Sequence, residues 1–193
     1  MDEMLSNSDR LGIGKVIDRL KDLPEAKSGA AAIEFALIAP FMILLWLGAT
    51  ELTLAMSADR KMSHASSVLA DLVTQQNNVT NVELEDIMDA AESIMLPHDV
   101  DDLSIHIVGV KIDEDGNPTV EWSKARNGSA ATSGEAFNIP SSLRIANSFL
   151  VAAELAFRYE PPTVHVVTGP ITLNDTFYLR PRQSDEVTCN PCS

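Results

Sequence analysis

The sequence predicts an α+β protein in which a long N-terminal helix, first transmembrane and then extracytoplasmic, packs with a second helix on a small antiparallel sheet. Three observations predict this class. Residues 30–50 are apolar except for one carboxylate, apolar residues then recur at helical spacing as far as Pro97, and β-branched residues alternate with polar ones from Leu103 onward. The 193 residues leave room for one compact domain beside the membrane helix.

The first element is a membrane-spanning helix, predicted over residues 30–54. A helix of about 21 residues reaches roughly 31 Å, the thickness of the hydrocarbon layer. Glu34 interrupts the apolar run, and a carboxylate within the bilayer costs roughly 3 kcal/mol, so such residues are usually functional. The alternative for Glu34 is a tolerated charge that water reaches at the helix end. Pro40 removes a hydrogen bond to Ala36 and predicts a kink, which spanning helices tolerate.

The segment before the span, residues 1–29, is predicted to be a cytoplasmic leader. Apolar residues between Leu11 and Leu20 recur at helical spacing, which indicates a short amphipathic helix on the membrane surface that ends at Pro24. Basic residues are denser before the span than after it, so the positive-inside rule places the N-terminus in the cytoplasm and the following domain outside. They are Lys15, Arg19, Lys21 and Lys27 before the span, and Arg60 and Lys61 after it.

The same helix is expected to continue into an extracytoplasmic head of residues 55–193, because neither Gly nor Pro occurs between Thr50 and Gln76. A second helix begins with a capping box formed by Thr80 and Glu83, and it ends at the next proline. One face of this helix is strongly acidic, which predicts a solvated face, with a docking surface for a basic partner as the alternative. The acidic residues are Glu85, Asp86, Asp89 and Glu92.

The remaining segments predict the sheet. Two antiparallel strands lie on either side of a turn that begins at Asp113, and this turn fails the pattern of a calcium loop because its sixth and twelfth positions are Pro118 and Lys124. The predicted elements are strands over 103–112 and 119–123, a flexible loop over 125–140, a short helical turn within 141–148, a strand over 149–159 with a weak extension at 164–167, and a last strand over 177–180.

Charge and cysteine content restrict the possible partners. The formal net charge is −14, and residues 51–193 hold nine Lys/Arg against twenty-one Asp/Glu, a net charge of −12. This argues against nucleic-acid binding and against docking of the head on anionic lipid, and it favours a soluble, exported head or a partner that is basic or brings cations. The only two cysteines, Cys189 and Cys192, lie in a C-terminal tail predicted to be flexible. In an oxidising compartment they close a small disulfide loop, or they are an incidental pair without redox function.

The sequence carries no motif of an enzyme or a cofactor site. Its four histidines lie in different predicted elements without the spacing of a zinc site, so we expect no metal. Neither a nucleophile elbow, a dinucleotide fingerprint nor a P-loop occurs. We therefore expect a structural protein without cofactors rather than a catalyst. Three sequons, at Asn78, Asn127 and Asn174, matter only in a host that glycosylates them.

The start of the span resembles a known processing site. Gly29 followed by Ala-Ala-Ala-Ile-Glu-Phe resembles the prepilin cleavage site of the type IV pilin superfamily, and the longer string Gly-Ala-Ala-Ala-Ile-Glu-Phe-Ala-Leu-Ile-Ala-Pro is similar to the TadE-like pseudopilins of the Flp, or tight-adherence (Tad), pilus. The Arg-Pro-Arg at residues 180–182 is also TadE-like. The resemblance implies that a prepilin peptidase cuts between Gly29 and Ala30. Glu34 would then be the fifth residue and would serve when the subunit joins the filament, and Pro40 would mark local unwinding.

The resemblance further implies a minor pseudopilin of the bacterial inner membrane, with a periplasmic head and with other pilins or pseudopilins as partners in pilus biogenesis and adhesion. Two other functions remain open at this point. One is an unprocessed bitopic membrane protein with an acidic extracytoplasmic binding domain, and the other is a type II secretion pseudopilin. Cleavage after Gly29 distinguishes the first from a pseudopilin, and gene neighbourhood distinguishes the second. A conventional signal cut after Ser57 would instead give a secreted protein.

Overall fold

The computed structural model describes residues 27–161, 169–190 and 192. The predicted amphipathic helix of the leader and the weak strand at 164–167 lie outside these residues. The elements in chain order are α1 (Lys27–Thr74), β1 (Asn78–Val79), α2 (Asn81–Met95), β2 (Ser104–Ile112), β3 (Pro118–Arg126), a 3-10 turn (Ser141–Leu143), β4 (Ser148–Tyr159), β5 (Ile171–Leu179) and β6 (Thr188–Cys189).

Helix α1 is 48 residues long, so the prediction of one long N-terminal helix that ends near residue 75 is confirmed. The chain divides after Leu47 into two compact units, which are described separately. The first unit contains the apolar start of α1, whose large side chains are exposed. Among the described residues, α1 is the one helix long and apolar enough to cross a membrane, and none of its most apolar stretch is buried.

In the second unit, the core forms where α1 and α2 cover one face of the sheet. Helix α1 contributes a stripe of buried residues at intervals of three and four, which is the spacing of one helix face. Helix α2 begins at the predicted capping box, with Thr80 and Glu83 each bonding the other's backbone N–H. The fully buried helix residues include Ala58, Met62, Ala65, Leu69 and Val73 of α1, and Leu84, Met88 and Met95 of α2.

The sheet is antiparallel and has the order β3-β2-β4-β5. β2 and β4 are the central strands, and their β-branched and apolar residues are buried on both faces. A bulge between Gly109 and Val110 shifts the register of β2 against β3. Gly109 is required at this point, because a β-carbon there would lie 2.5 Å from two ring atoms of Trp122. The predicted α+β class with a small antiparallel sheet is therefore confirmed.

The opposite face of the sheet holds a second, smaller core. Its strand residues are covered by the loop between β3 and β4, from which Ile139 is buried. The Gly- and Ser-rich composition predicted a flexible loop here. Instead its backbone bonds along the outer edge of β3, where Val120 N donates to Glu135 O and Gly134 N to Val120 O, both at 2.8 Å. These bonds satisfy polar groups that an edge strand would otherwise leave unpaired.

β5 begins six residues before the last strand predicted from the sequence. Asn174 and Asp175 are unfavourable in strands, so the sequence pattern did not predict the first half of β5. The structure places the Asp175 side chain on the helix-covered face, where it accepts a hydrogen bond from Ser66 Oγ of α1. This bond joins the edge of the sheet to the buried face of the helix.

The C-terminal segment of residues 180–190 follows the surface of the second unit rather than leaving it as a free tail. Arg182 N donates to Thr74 O at the end of α1, and β6 pairs with β1 in parallel. Val187 is buried, and its carbonyl accepts a 2.7 Å bond from Trp122 Nε1. This segment, which we call the C-terminal strap, fastens the end of α1 to the sheet.

Candidate functional site

The start of α1 holds the residues that the sequence singled out for processing and assembly. Gly29 is half-buried, while Ala30 and Glu34 are exposed, and all three lie in continuous helix. Ala30 and Glu34 are four residues apart, which puts them on the same helix face one turn apart. Among the described residues, none makes a hydrogen bond or ion pair with Glu34. The site is a carboxylate on a helix face that is otherwise apolar.

The apolar side chains around Glu34 are unusually open to the surroundings. Ile33 is 65% exposed and Phe35 is 74% exposed, and the large side chains of the following three turns are similar. A soluble protein rarely exposes a continuous apolar surface of this kind. The helix passes Pro40 without a break, although Pro40 has no N–H to donate to Ala36. This surface is compatible with a helix that crosses a membrane.

In the second unit, the acidic face of α2 is not simply solvated, because it pairs with the end of β3. Arg126 contacts Glu85 at 2.5 Å, Asp89 at 2.6 Å and Glu92 at 2.8 Å, and Lys124 lies 2.9 Å from the other oxygen of Glu85. Hydrogen bonds from Arg126 and then from Lys124 hold the pKa of Glu85 below its ordinary value. Three of the four acidic residues thus join a helix to the sheet, and the fourth, Asp86, is exposed.

Glu51 is a buried carboxylate that the sequence reasoning overlooked. It is only 5% exposed and belongs to the same helix face as Ala55 and Ala58. That spacing of four and three residues was the available signal, because it continues the buried stripe of α1 back toward residue 51. Burial and then the charge of Glu51 raise the pKa of Tyr159 above its ordinary value.

Two histidines in the second unit have specific neighbours. His106 Nδ1 lies 3.0 Å from Glu154 Oε2 on the outer sheet face. The ring of His98 lies near the rings of Phe157 and Tyr159, at 5.9 Å between centroids in each case. Burial and then the charge of Lys61 lower the pKa of His98. Within the described part of the chain, no group of three or more His, Cys, Asp or Glu side chains is arranged to hold a metal ion.

The two cysteines lie together at the end of the strap. The structure pairs the sulfur atoms of Cys189 and Cys192, whose Cα atoms are 5.5 Å apart, a usual separation for a disulfide. Both side chains pack against the main core.

Helix α1 and its exposed apolar surface indicate the class of protein. One exposed apolar N-terminal helix attached to an α+β unit is compatible with a single-pass membrane protein. Residues 29–71 match the family model of the TadE-like protein, so the resemblance predicted from the sequence is confirmed over most of α1. This family suggests a protein associated with the Tad pilus, and TadE-like pilus proteins are structural rather than catalytic. No curated protein and no solved structure matches the chain.

Proposed function

We propose that the protein is a minor pseudopilin of a Tad-type pilus. Residues 1–29 form a cytoplasmic leader, residues 30–54 span the inner membrane, and residues 55–193 form a periplasmic head. A prepilin peptidase removes the leader between Gly29 and Ala30. The mature subunit then enters a pilus or its initiating complex through α1 and supports pilus biogenesis and adhesion, with other pilins and pseudopilins as its partners.

The observation that carries this proposal is the match to the TadE-like family, which begins at Gly29 itself. The exposed apolar surface of α1 supports it, because such a surface is stable in lipid before assembly and among the helices of other subunits afterwards. The paired side chains found in the second unit serve its own packing. Within the described residues, these pairs give no argument for a catalytic function instead.

Glu34 is proposed to pair with the ammonium group that cleavage creates on Ala30 of the same or an adjacent subunit. The spacing of four residues brings the two groups to one helix face. Both charges lose solvation in apolar surroundings, so the pair contributes more to the register of assembly than to stability. Glu34 would then select the position of each subunit against its neighbours.

The processing step is tested by the intact mass and N-terminal sequence of the protein from its native membrane. The parent chain is expected to begin at Ala30, and a Gly29→Ala variant is expected to remain full length. Gly48→Ala, a second glycine in α1, is the matched control and should be cut normally. A parent chain that begins at Met1 would make the protein an unprocessed bitopic membrane protein and would refute the proposal.

The role of Glu34 is tested separately by Glu34→Gln, which keeps the shape of the side chain and removes its charge. We expect the variant to insert and to be cut, but to reach the pilus fraction about tenfold less, the equivalent of about 1.4 kcal/mol. Glu121→Gln, an exposed site on β3, is the control and should assemble like the parent. Normal assembly of the Glu34 variant, measured by immunoblot of sheared pili, would exclude this role.

A further inference from the structure

The outer edge of β5 has no backbone partner among residues 27–161, 169–190 and 192. β5 pairs with β4 over all nine of its residues, and within the described residues its other edge bonds to no strand or loop. An open edge presents a row of backbone N–H and C=O groups that can accept an additional strand.

The two edge strands of the sheet, β3 and β5, differ in whether other backbone segments cover them. The opposite edge strand, β3, is covered by the loop that bonds to Val120 and by a bridge between Thr119 and Ala136. β5 has no such cover among the described residues. It also lacks the bulge, proline and lysine with which edge strands often block pairing, and its one charged side chain, Asp175, is turned toward Ser66. The edge therefore remains competent to pair.

A groove runs beside this edge, between β5 and α1. It has a volume of about 330 Å³ and is lined by Val68 of α1 and by Phe177 and Leu179 of β5, with the ion pair of Asp71 and Arg182 at 2.9 Å at its rim. Phe177 is 37% exposed although it faces the helix side of the sheet. A strand added at β5 would place every second side chain over this groove, because side chains alternate between the faces of a sheet.

We propose that β5 and this groove form a docking site for an extended segment of a different protein, which adds to the sheet as a fifth strand. The segment carries apolar side chains at alternate positions, which fill the groove, and it is basic. Charge decides between this partner and a second copy of the chain. Residues 51–193 carry a net charge of −12, so two copies repel each other while a basic segment is attracted.

The proposal goes beyond the pseudopilin function, and only the periplasmic location of the partner rests on it. It is tested in the native host with the full chain, in which Phe177 is replaced by the photoreactive p-benzoylphenylalanine. The same probe replaces Val82 and Ile145 as controls, because both are exposed apolar residues away from β5. Irradiation is expected to give a defined adduct at Phe177, several-fold stronger than at either control.

Two measurements on the adduct decide whether a strand has been added. Mass spectrometry of the crosslinked peptide should identify a basic segment of another protein, and hydrogen exchange of residues 171–179 should slow by about tenfold or more relative to the free chain. Val68→Lys should weaken the adduct, because it places a positive charge in the groove. Thermal unfolding of each variant verifies that the fold is kept.

Each remaining outcome contradicts the proposal. An adduct between two copies of the chain, an adduct with lipid alone, the absence of any adduct, or an adduct with unchanged exchange of β5 would each overturn it. N-terminal sequencing of the same sample reports separately on the proposed function. A chain that begins at Ala30 without an adduct refutes the docking site alone, whereas a chain that begins at Met1 refutes processing whatever the adduct shows.

Discussion

Among the described glycines of the second unit, Gly109 has little room for a side chain. A β-carbon there would meet Trp122 at 2.5 Å and Phe149 at 2.8 Å, and Trp122 cannot move without losing its bond to Val187. Gly109→Ala is therefore expected to lower the free energy of unfolding by about 1–3 kcal/mol. Denaturant unfolding of the detergent-solubilised chain measures this. Gly169→Ala should change little, because no atom of the described residues beyond its chain neighbours lies within 4 Å of the added β-carbon.

Glu85 makes the stability of the second unit depend on pH. Its pKa is lower in the folded chain than its ordinary value of about 4.5, because Arg126 and then Lys124 bond to the carboxylate. The stability it contributes is thus complete above about pH 4.5 and is lost as the pH falls through the folded-state pKa.

The expected result is a loss of unfolding free energy below about pH 4.5 that is smaller in Glu85→Gln than in the parent. Denaturant unfolding at a series of pH values measures the slope. Glu121→Gln is the control, since Glu121 is exposed on the same strand as Arg126 and makes no ion pair with any described residue. Identical slopes in the parent and in Glu85→Gln would contradict the assignment of this dependence to Glu85.

At the scale of elements, helix α2 depends on its capping box. Thr80 Oγ1 accepts from Glu83 N at 3.3 Å, and Thr80 N donates to Glu83 Oε2 at 2.8 Å. Thr80→Ala removes the acceptor for a free N–H of the first turn and should cost about 1 kcal/mol of stability. Thr80→Ser keeps the oxygen and should retain most of that stability. Equal unfolding midpoints for the two variants would contradict a capping role.

Local signals predicted the elements well where they lay within a few residues of each other. The capping box at Thr80, the two strands around Asp113 and the unbroken stretch beyond Thr50 were all read correctly from spacing. The order of the strands was not predictable in this way. β2 pairs with both β3 and β4 and is buried on both faces. The residue pattern within one segment does not show which other segments pair with it.

Contacts between distant residues account for what the sequence did not reveal. The acidic face of α2 suggested solvent exposure because its partner Arg126 lies 34 to 41 residues further along the chain. The position of the strap was not predictable for the same reason, since Val187 bonds to Trp122, which lies 65 residues earlier in the chain. In the candidate site, by contrast, Gly29, Ala30 and Glu34 are close in sequence, so their shared helix was predictable. Their processing and assembly roles remain predictions.

At the scale of the whole second unit, the strap joins the end of α1 to β3. Trp122→Phe removes the donor to the buried carbonyl of Val187 and should lower the free energy of unfolding by about 1–3 kcal/mol. It should also speed the hydrogen exchange of Thr188 and Asn190, whose amides bond to the segment before α2. Tyr178→Phe, on the opposite face of the sheet, is the control. Unchanged hydrogen exchange of Thr188 and Asn190 would mean that contacts other than the bond from Trp122 to Val187 hold the strap in place.

The bond between Ser66 and Asp175 joins residues 109 positions apart and so limits the order in which the unit is completed. Synthesis proceeds from the N-terminus at about 5–20 residues per second, so β5 is made roughly 5–20 s after the middle of α1. During that interval the Ser66 hydroxyl lacks its partner Asp175. This contact between the helix and the sheet edge therefore forms only after most of the second unit has been synthesised.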